Sequence, residues 1–233
     1  MSRLIAFDVD STLLRVESLD MAVQHALTSH PDREGAEARL HGLTQAGMTG
    51  QLALRDSLLT RIGITELTRP LVEEIAETLR RQVTPGIKPL LKQLRDQGDV
   101  LHAISGGFTD LLEPVLDDLG FGPAFIHANR FRYQGEQVTG LDEDIPLSRN
   151  GGKTEVLKLI AGQFDQVVMI GDGMTDFEAY EGGAADRFIG FGVIAQREVV
   201  LAAAEHSGAE YVRTVDALSR ALKASAFDQA RGD

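Results

Sequence analysis

The sequence of 233 residues contains no cysteine. Disulfide bonds, thiolate zinc sites and cysteine nucleophiles are therefore excluded together. Basic residues are also scarce, because 23 Lys and Arg stand against 35 Asp and Glu, and the formal net charge is −12. An acidic chain without a long basic stripe is unsuited to nucleic acids and to anionic membranes, so we expect neither of them as a partner.

Long hydrophobic runs are missing as well. The first apolar run, residues 4–7, ends at Asp8, which makes it too short for the core of a signal peptide. No stretch of the sequence approaches the roughly 18 apolar residues of a membrane span, so we expect a cytoplasmic protein. The chain is 43% hydrophobic and 25% charged, as is typical of globular domains.

Apolar spacing divides the chain into two kinds of region. Between residues 17 and 82, apolar side chains recur at helical intervals with Gly and Pro breaks between them. From residue 84 onward, short apolar strands alternate with helices, which predicts an α/β fold with a doubly wound parallel sheet. We therefore predict a catalytic core of residues 1–14 and 84–233, and a helical cap of residues 15–83 inserted after the first strand.

Individual elements of the core also have sequence signals. A hairpin is predicted at 131–138, with its turn at Gly135. Further strands are expected at 100–104, 124–127, 167–170, 187–191 and 211–212. Helices are expected at 87–97, 109–119, 153–161 and 215–226.

Polar clusters follow three of the predicted strands. The first strand runs into Asp8 and Asp10, the second into Ser105 and two glycines, and the third into Asp172. Ligands of open α/β sheets lie at the carboxyl ends of the strands, so we expect these clusters to meet. Three acids in close proximity repel one another unless a hard cation lies among them, which predicts a Mg²⁺ site.

These residue types favour phosphoryl chemistry. A carboxylate near Mg²⁺ can attack phosphorus and form an aspartyl-phosphate. Ser105 offers a hydroxyl, and the glycines after it offer unobstructed N–H groups, for a phosphate. Lys153, at the start of a predicted helix, adds a positive charge. Each pattern alone is more often a turn, a loop or a surface residue, so the interpretation depends on all four occurring in order.

Two glycine-rich segments suggest nucleotide binding instead. The segment 151–154 lacks the first glycine of a Walker A loop, because Leu147 stands at that position. The segment from Gly190 to Ala195 fits the loose dinucleotide fingerprint, and Glu210 follows at about the right distance. Too little chain remains after it for the rest of a dinucleotide fold, and a glycine-lined tight turn is the alternative interpretation.

Together, the four motifs resemble those of the haloacid dehalogenase-like phosphatases, and within them the phosphoserine-type subfamily. The resemblance covers most of the core and implies a Rossmann-like fold with a helical cap after the first strand. It also implies hydrolysis of O-phospho-L-serine, a small anionic phosphorylated amino acid, with Mg²⁺ as cofactor. The residues that carry it are Asp8-Val-Asp-Ser-Thr, Ser105-Gly-Gly-Phe, Asn150-Gly-Gly-Lys153 and Gly171-Asp-Gly-Met-Thr-Asp176, with further similarity at 129–131 and 188–192.

The resemblance implies a role for each site residue. Asp8 would be the nucleophile, and Asp10 would be the general acid and then the general base. Mg²⁺ would be bound by Asp8, the Asp10 carbonyl and Asp172, with Asp176 in or just behind that shell. The substrate would be held by Glu17, Met48, Arg61, Ser105, Gly106, Gly107, Lys153 and Thr175.

The amino-acid end of the substrate would be bound from the cap. Glu17 would contact the ammonium group, and Arg61, paired in the motif with Met48, would contact the carboxylate. Leu54 stands where the family usually has Phe, which keeps the site apolar but leaves strict specificity for phosphoserine open. Three alternatives remain: phosphate transfer to another alcohol such as homoserine, hydrolysis of another small phosphometabolite, and a catalytically silent binding module.

Overall fold

The fold is that of a computed structural model, which describes residues 2–48 and 51–228. The helices are α1 (Ser18–Ala26), α2 (Arg33–Met48), α3 (Leu54–Ile62), α4 (Arg69–Leu79), α5 (Ile87–Asp96), α6 (Thr109–Asp118), α7 (Gly152–Ala161), α8 (Met174–Glu181), α9 (Glu198–Ser207) and α10 (Val215–Asp228). The strands are β1 (Arg3–Phe7), β2 (Val100–Phe108), β3 (Ile126–Asn129), β4 (Phe131–Gln134), β5 (Gln137–Leu141), β6 (Gln166–Gly171), β7 (Arg187–Phe191) and β8 (Glu210–Val212). In these ranges, no helix is both long enough and apolar enough to cross a bilayer.

Six of the strands form one parallel sheet in the order β3-β2-β1-β6-β7-β8. β1 lies between β2 and β6, and Leu4 stands opposite Val100 on one side and Val167 on the other. The chain winds outward from β1 in both directions, so the strand order reverses there, and ligands of such sheets bind at that point. The prediction of an α/β fold with a doubly wound parallel sheet is confirmed.

Helices cover both faces of the sheet. Ile5 and Phe7 of β1 pack into a core shared with α1, α4, α5, α6 and α10. Leu4 and Ala6 point to the opposite face, because successive residues of a strand alternate, and there they pack with α7, α8 and α9. The strand is thus buried on both sides, as its uninterrupted apolar sequence predicts.

Helices α1 to α4 form a segment inserted between β1 and α5. The chain leaves and returns at adjacent positions, since Leu14 pairs with Val83 in an isolated antiparallel bridge. The spacing of apolar residues predicts α1, α3 and α4 but gives no signal for α2. Among the α2 residues whose side chains the structure describes, only Leu40 and Thr44 are buried, so the helix has almost no apolar stripe.

The predicted hairpin is present and contacts the inserted helices. β4 and β5 pair antiparallel, and Gly135 between them has the positive φ of 61° that the turn requires. The Val138 amide donates a hydrogen bond to the Leu67 carbonyl at 2.9 Å. The guanidinium of Arg69 lies 3.8 Å from the centroid of the Tyr133 ring. The hairpin therefore supports the loop that leads into α4.

Packing explains the glycine-rich segment that follows β7. Gly190 and Gly192 both lie against the ring of Tyr211, and a Cβ atom at either position would overlap it. Tyr211 belongs to β8, which pairs with β7 through Gly190. Gly190 thus lies within β7 and not in a tight turn, and close packing against Tyr211 accounts for both glycines without a dinucleotide.

Two histidines share a hydrogen bond where β2 meets β3. Nδ1 of His102 and Nε2 of His127 are 2.9 Å apart, and the two rings stack with their centroids 5.2 Å apart. One nitrogen must donate and the other accept, so the two facing atoms cannot both carry a proton. Burial, and then the neighbouring His127, lower the pKa of His102 to about 4.

This pair predicts a loss of stability in mild acid. Between the ordinary histidine pKa of about 6.5 and the lowered value, the unfolded chain binds more protons than the folded protein. The stability that neutral His102 contributes to the folded protein is complete above about pH 6.5. It is lost as the pH falls towards 4, by at most about 1.4 kcal/mol per pH unit for this histidine. His102→Gln removes this proton uptake, so the difference in unfolding free energy between wild type and variant should shrink over that range in denaturant titrations.

The control for this measurement is His206→Gln, because His206 is exposed on α9. We expect its unfolding free energy to follow the wild-type pH dependence. A difference between wild type and His102→Gln that stays constant from pH 7 to pH 4 would contradict the role of the pair.

Candidate active site

The carboxyl end of β1 leads into an irregular turn that carries two acidic residues. The Asp8 amide continues the sheet by donating a hydrogen bond to the Ile170 carbonyl at 2.8 Å. Within the turn, Ser11 has a left-handed backbone with φ of 53°, and its hydroxyl donates to the Glu17 carboxylate at 2.7 Å. Asp8 and Asp10 on this turn both line one cavity.

β6 ends beside β1 and brings two further carboxylates to this cavity. Asp172 follows the last residue of β6, and Asp176 lies in the first turn of α8. One carboxylate oxygen from each of Asp8, Asp172 and Asp176 lies within 4.8 Å of the other two. Gly171 permits this approach, because a Cβ atom there would overlap the Asp176 carboxylate. The structure therefore brings the acids of the two strand ends together.

Two basic side chains contact these acids. The Lys153 ammonium, at the start of α7, donates to Asp8 Oδ1 at 2.7 Å and to Asp176 Oδ1 at 2.6 Å. Nε of Arg197 donates to Asp172 Oδ2 at 2.7 Å, and Nη2 of Arg197 lies 3.3 Å from Glu17 Oε1. Each basic group thus joins two acids that come from different parts of the chain.

Burial of the acids raises their pKa values. Desolvation, with the charge of Asp8 as the next cause, raises the pKa of Asp10 and of Asp172 to about 7. Desolvation also raises the pKa of Glu17 and of Asp176 to about 8, against the opposing effect of Lys153 on Asp176. Desolvation is the largest cause for all four groups, and neighbouring carboxylates add to it, so burial and like charge both disfavour the ionised acids.

The cluster fits a divalent metal ion. Asp8, Asp172 and Asp176 are all buried, they come from the ends of two strands, and their oxygens converge. Lys153 and Arg197 leave an excess of negative charge there. Mg²⁺ prefers a few carboxylate oxygens of this kind and retains some of its water, so the residues present suit Mg²⁺.

A cradle for an anion lies at the end of β2. The Gly107 amide donates to the Ser105 hydroxyl at 2.9 Å, in the part of β2 where its pairing with β3 shifts register. The buried amide of Asn129 donates to the Gly106 carbonyl at 2.8 Å and to the Leu147 carbonyl at 3.2 Å. Ser105, Gly106 and Gly107 line the same cavity as the acids, so hydroxyl and backbone donors stand near the carboxylate cluster.

The inserted helices supply another wall of the cavity. Glu17 precedes α1, and Arg61 lies near the end of α3; both line the cavity. The Arg61 side chain is buried, and its Nη1 donates to Asp20 Oδ1 at 3.0 Å. Leu54, at the start of α3, is also part of the lining. Acidic, basic and apolar groups from the inserted segment thus face the acids of the sheet.

The structure brings together every predicted site residue whose side chain it describes. The residues that line the shared cavity are Asp8, Asp10, Glu17, Arg61, Ser105, Gly106, Gly107, Lys153, Asp172, Thr175 and Asp176. Met48 is the last residue of α2, but its side chain lies outside what the structure describes, as does the nearby Gly50.

Two further residues at this site have no clear sequence signal. Arg197 lines the cavity from the position before α9, where an arginine is an ordinary surface residue. Asn129 lies in a segment similar to the family, but its hydrogen bonds to two distant carbonyls depend on how β3 pairs with β2. Only the folded chain shows that they support the acids and the anion cradle.

Known proteins that resemble this chain include several phosphoserine phosphatases. The phosphoserine phosphatase of Mus musculus is 34% identical over 191 residues, which cover 81% of this chain and 80% of the mouse protein. The crystal structure of a phosphoserine phosphohydrolase-like protein from Francisella tularensis has a TM-score of 0.84 at 28% identity, over 95% of this chain and 100% of that one. A structure of a phospho-aspartyl intermediate analogue of phosphoserine phosphatase has a TM-score of 0.75 at 25% identity, covering 91% and 94%.

A family model, described as haloacid dehalogenase-like hydrolase, matches residues 2–182. This range contains the acids at the ends of β1 and β6, the glycine cradle near the end of β2 and the lysine of α7. The resemblance that the four motifs carry is confirmed by the match. The chain belongs to the haloacid dehalogenase-like hydrolase family.

Proposed function

We propose that this chain is a Mg²⁺-dependent phosphomonoesterase that hydrolyses O-phospho-L-serine to L-serine and phosphate. The observation that carries the proposal is one cavity in which a buried acid–lysine cluster faces Arg61 and Glu17. The cluster suits phosphoryl transfer, and the facing pair suits the carboxylate and ammonium groups of an amino acid. The phosphoserine phosphatase relatives support the same substrate.

In the first step, we propose that Asp8 attacks phosphorus. A bond forms between a carboxylate oxygen of Asp8 and phosphorus, and the bond between phosphorus and the serine oxygen breaks. Asp10 donates a proton to the departing oxygen. Its pKa of about 7, raised by burial and by Asp8, keeps a substantial protonated fraction at neutral pH, as a general acid needs.

In the second step, water hydrolyses the aspartyl-phosphate. Asp10, now ionised, removes a proton from the water, whose oxygen forms the new bond to phosphorus. The bond between Asp8 and phosphorus breaks, which releases phosphate and restores the carboxylate. Ser18 helps to orient Asp10 for both steps, since its hydroxyl donates to Asp10 Oδ2 at 2.9 Å, and Oδ1 has no partner among the described residues.

Lys153, Ser105 and the two glycines would hold the phosphoryl oxygens. Burial lowers the pKa of Lys153, but Asp176 and Asp8 outweigh that effect and raise the pKa above its usual value. The ammonium therefore stays charged and can offset the charge of the transferring group. Asn129 fixes the Gly106 peptide, so the cradle is formed before substrate arrives.

Mg²⁺ would be held by Asp8, Asp172 and the Asp10 carbonyl, with Asp176 in or just behind that shell. When bound, it supplies positive charge that stabilises the phosphoryl group during transfer. Thr175, in the first turn of α8, would contact the substrate from the same side. Because carboxylate oxygens of Asp8, Asp172 and Asp176 lie within 4.8 Å of one another, metal binding would relieve the repulsion among them.

For the amino-acid end, we propose that Glu17 binds the ammonium group and that Arg61 binds the carboxylate, with Met48 beside them. Leu54 takes the place at which the family usually has Phe. It keeps this wall apolar with a smaller side chain. The reaction product would be L-serine, so we place the enzyme in amino-acid biosynthesis in the cytoplasm, which suits a chain that contains no cysteine.

We also propose that residues 15–83 act as a cap on a core of residues 1–14 and 84–233. The chain crosses between the two only near Leu14 and Val83. On the opposite side, the Leu54 amide donates to Asn150 Oδ1 at 3.0 Å, and Arg55 donates to Ser148 Oγ at 3.0 Å. These contacts would hold the cap closed, and closure would exclude water while the phosphoryl group transfers.

The nucleophile assignment predicts the outcome of one substitution. Asp8→Asn keeps the shape of the side chain but removes the attacking carboxylate, so phosphate release from O-phospho-L-serine with Mg²⁺ should fall at least about 1,000-fold. The matched control is Asp117→Asn on the exposed face of α6, which should keep wild-type turnover. The measurement is phosphate release across a panel of small phosphomonoesters that includes sugar phosphates.

Two outcomes of this panel would contradict the proposal. Equal turnover by Asp8→Asn would remove Asp8 as the nucleophile. Wild-type preference for a sugar phosphate would replace the substrate while leaving the reaction type intact.

The metal assignment predicts a change in thermal stability. At 100 times its dissociation constant, a ligand of the folded state adds about 2.7 kcal/mol, so MgCl₂ should raise the wild-type Tm by roughly 5 to 10 °C. Asp172→Asn should lose most of this rise, and Glu205→Gln, at an exposed position on α9, should keep it. The same Mg²⁺ response in wild type and Asp172→Asn would argue against this ligand set.

A further inference from the structure

Arg61 is held by its own helix and by two neighbouring helices. Nη1 donates to Asp20 Oδ1 of α1 at 3.0 Å and lies 3.4 Å from Thr44 Oγ1 of α2, while Nε lies 3.4 Å from the Ser57 carbonyl. Thr44 in turn donates to Asp20 Oδ2 at 2.6 Å. The carboxylate of Asp20 is thus fixed at both oxygens, and one of these bonds orients the guanidinium.

The contacts leave one edge of the guanidinium available. Among the described residues, none accepts a hydrogen bond from Nη2 of Arg61. Arg61 lines the cavity, whereas Asp20 does not. Side chains of Arg61 and Asp20 are 9% and 14% exposed, so the pair is largely removed from water and its geometry is well defined. Asp20 therefore faces Arg61 from behind, as seen from the cavity.

We propose that Asp20 is a positioning residue that holds Arg61 ready for the carboxylate of the substrate. Through Arg61, Asp20 would determine how strongly the enzyme prefers phosphomonoesters that carry a carboxylate. The inference rests on the proposed function and extends it, since it names a residue that does not touch the substrate and assigns it part of the specificity.

The physical reason is the flexibility of arginine. A free arginine side chain loses much rotamer entropy when it is fixed, and a guanidinium recognises a carboxylate well only in a defined orientation. Because Asp20 and Ser57 fix two of its nitrogens beforehand, the substrate would not have to order the side chain. Preorganisation of this kind increases affinity by reducing the cost of binding.

A purely structural role for the Asp20–Arg61 pair makes a different prediction. If the pair only joined α1, α2 and α3, its loss would lower stability and would impair all substrates alike. If Asp20 positions Arg61, its loss impairs only substrates with a carboxylate. The distinguishing measurement is therefore a ratio between two substrates rather than one activity.

The experiment compares O-phospho-L-serine with O-phosphoethanolamine, which has the same phosphate and ammonium groups but no carboxylate. Asp20→Asn keeps the size of the side chain and removes its charge. For O-phospho-L-serine, we expect KM to rise at least about tenfold with little change in kcat, as for the loss of a hydrogen bond to a charged group. For O-phosphoethanolamine, kcat/KM should stay within about twofold of the wild-type value.

Two further variants keep the test decisive. Asp56→Asn removes the same charge from an exposed position on α3, the helix that carries Arg61, and should leave both substrates unaffected. Thr44→Val removes the hydroxyl that fixes Asp20 while retaining the ion pair. It should shift the substrate ratio in the same direction by a smaller factor, and it serves in place of Asp20→Asn if that variant does not fold.

The outcomes separate this inference from the proposed function. A wild-type enzyme that prefers O-phospho-L-serine, with an unchanged preference in Asp20→Asn and Thr44→Val, would overturn the role of Asp20 and leave the function in place. An equal loss on both substrates would also overturn it, in favour of a structural role. A wild-type enzyme that hydrolyses neither substrate would overturn the proposed function, and the inference with it.

Discussion

The ion pairs of Lys153 are the interaction on which the rest of the site depends. Its ammonium lies 2.7 Å from Asp8 and 2.6 Å from Asp176, and all three side chains are buried. Removing one partner of a buried ion pair typically costs about 3–5 kcal/mol, because the remaining charge is left without compensation. The lysine thus allows two carboxylates to stand together away from water. One ammonium does not balance the two carboxylates, so the cluster stays negative and favours a bound cation. The cation in turn favours an anionic phosphoryl group beside it.

A parallel sheet makes this arrangement possible. Lys153 and Asp8 are separated by 145 positions in the sequence, yet the carboxyl ends of parallel strands and the helix starts that follow them share one edge. Two glycines allow the chain segments around this cluster to approach closely enough for these contacts. A Cβ atom at Gly171 would overlap the Asp176 carboxylate, and one at Gly152 would overlap the Pro146 carbonyl. The absence of two side chains is therefore as necessary to the cluster as the charges themselves.

The sequence predicts the sheet well because its strands are buried on both faces. A strand such as β6 contains a continuous, buried apolar run at residues 167–170, and that signal does not depend on its neighbours. Helix α2 has no comparable signal, since its contacts use Leu40 and Thr44 rather than an apolar stripe. Motif spacing likewise identifies the residues at strand ends, whereas Arg197 and Asp20 are charged residues of a kind common on protein surfaces. Their importance arises only from which acid or base each one faces after folding, and no local pattern encodes that.

The difference between the charge inside the cavity and the net charge of the chain explains how an acidic protein can accommodate an anionic substrate. The net charge of −12 acts over the whole surface, where it favours solubility and disfavours polyanions. Inside the cavity, the relevant charges are those within a few ångströms, because solvent screens interactions between exposed charges beyond about 8–10 Å. There Lys153, Arg61 and Arg197 are concentrated, each already in contact with an acid that fixes its position. A small dianion would meet these oriented basic groups, together with the metal ion that the acids are suited to hold, rather than the average charge of the chain.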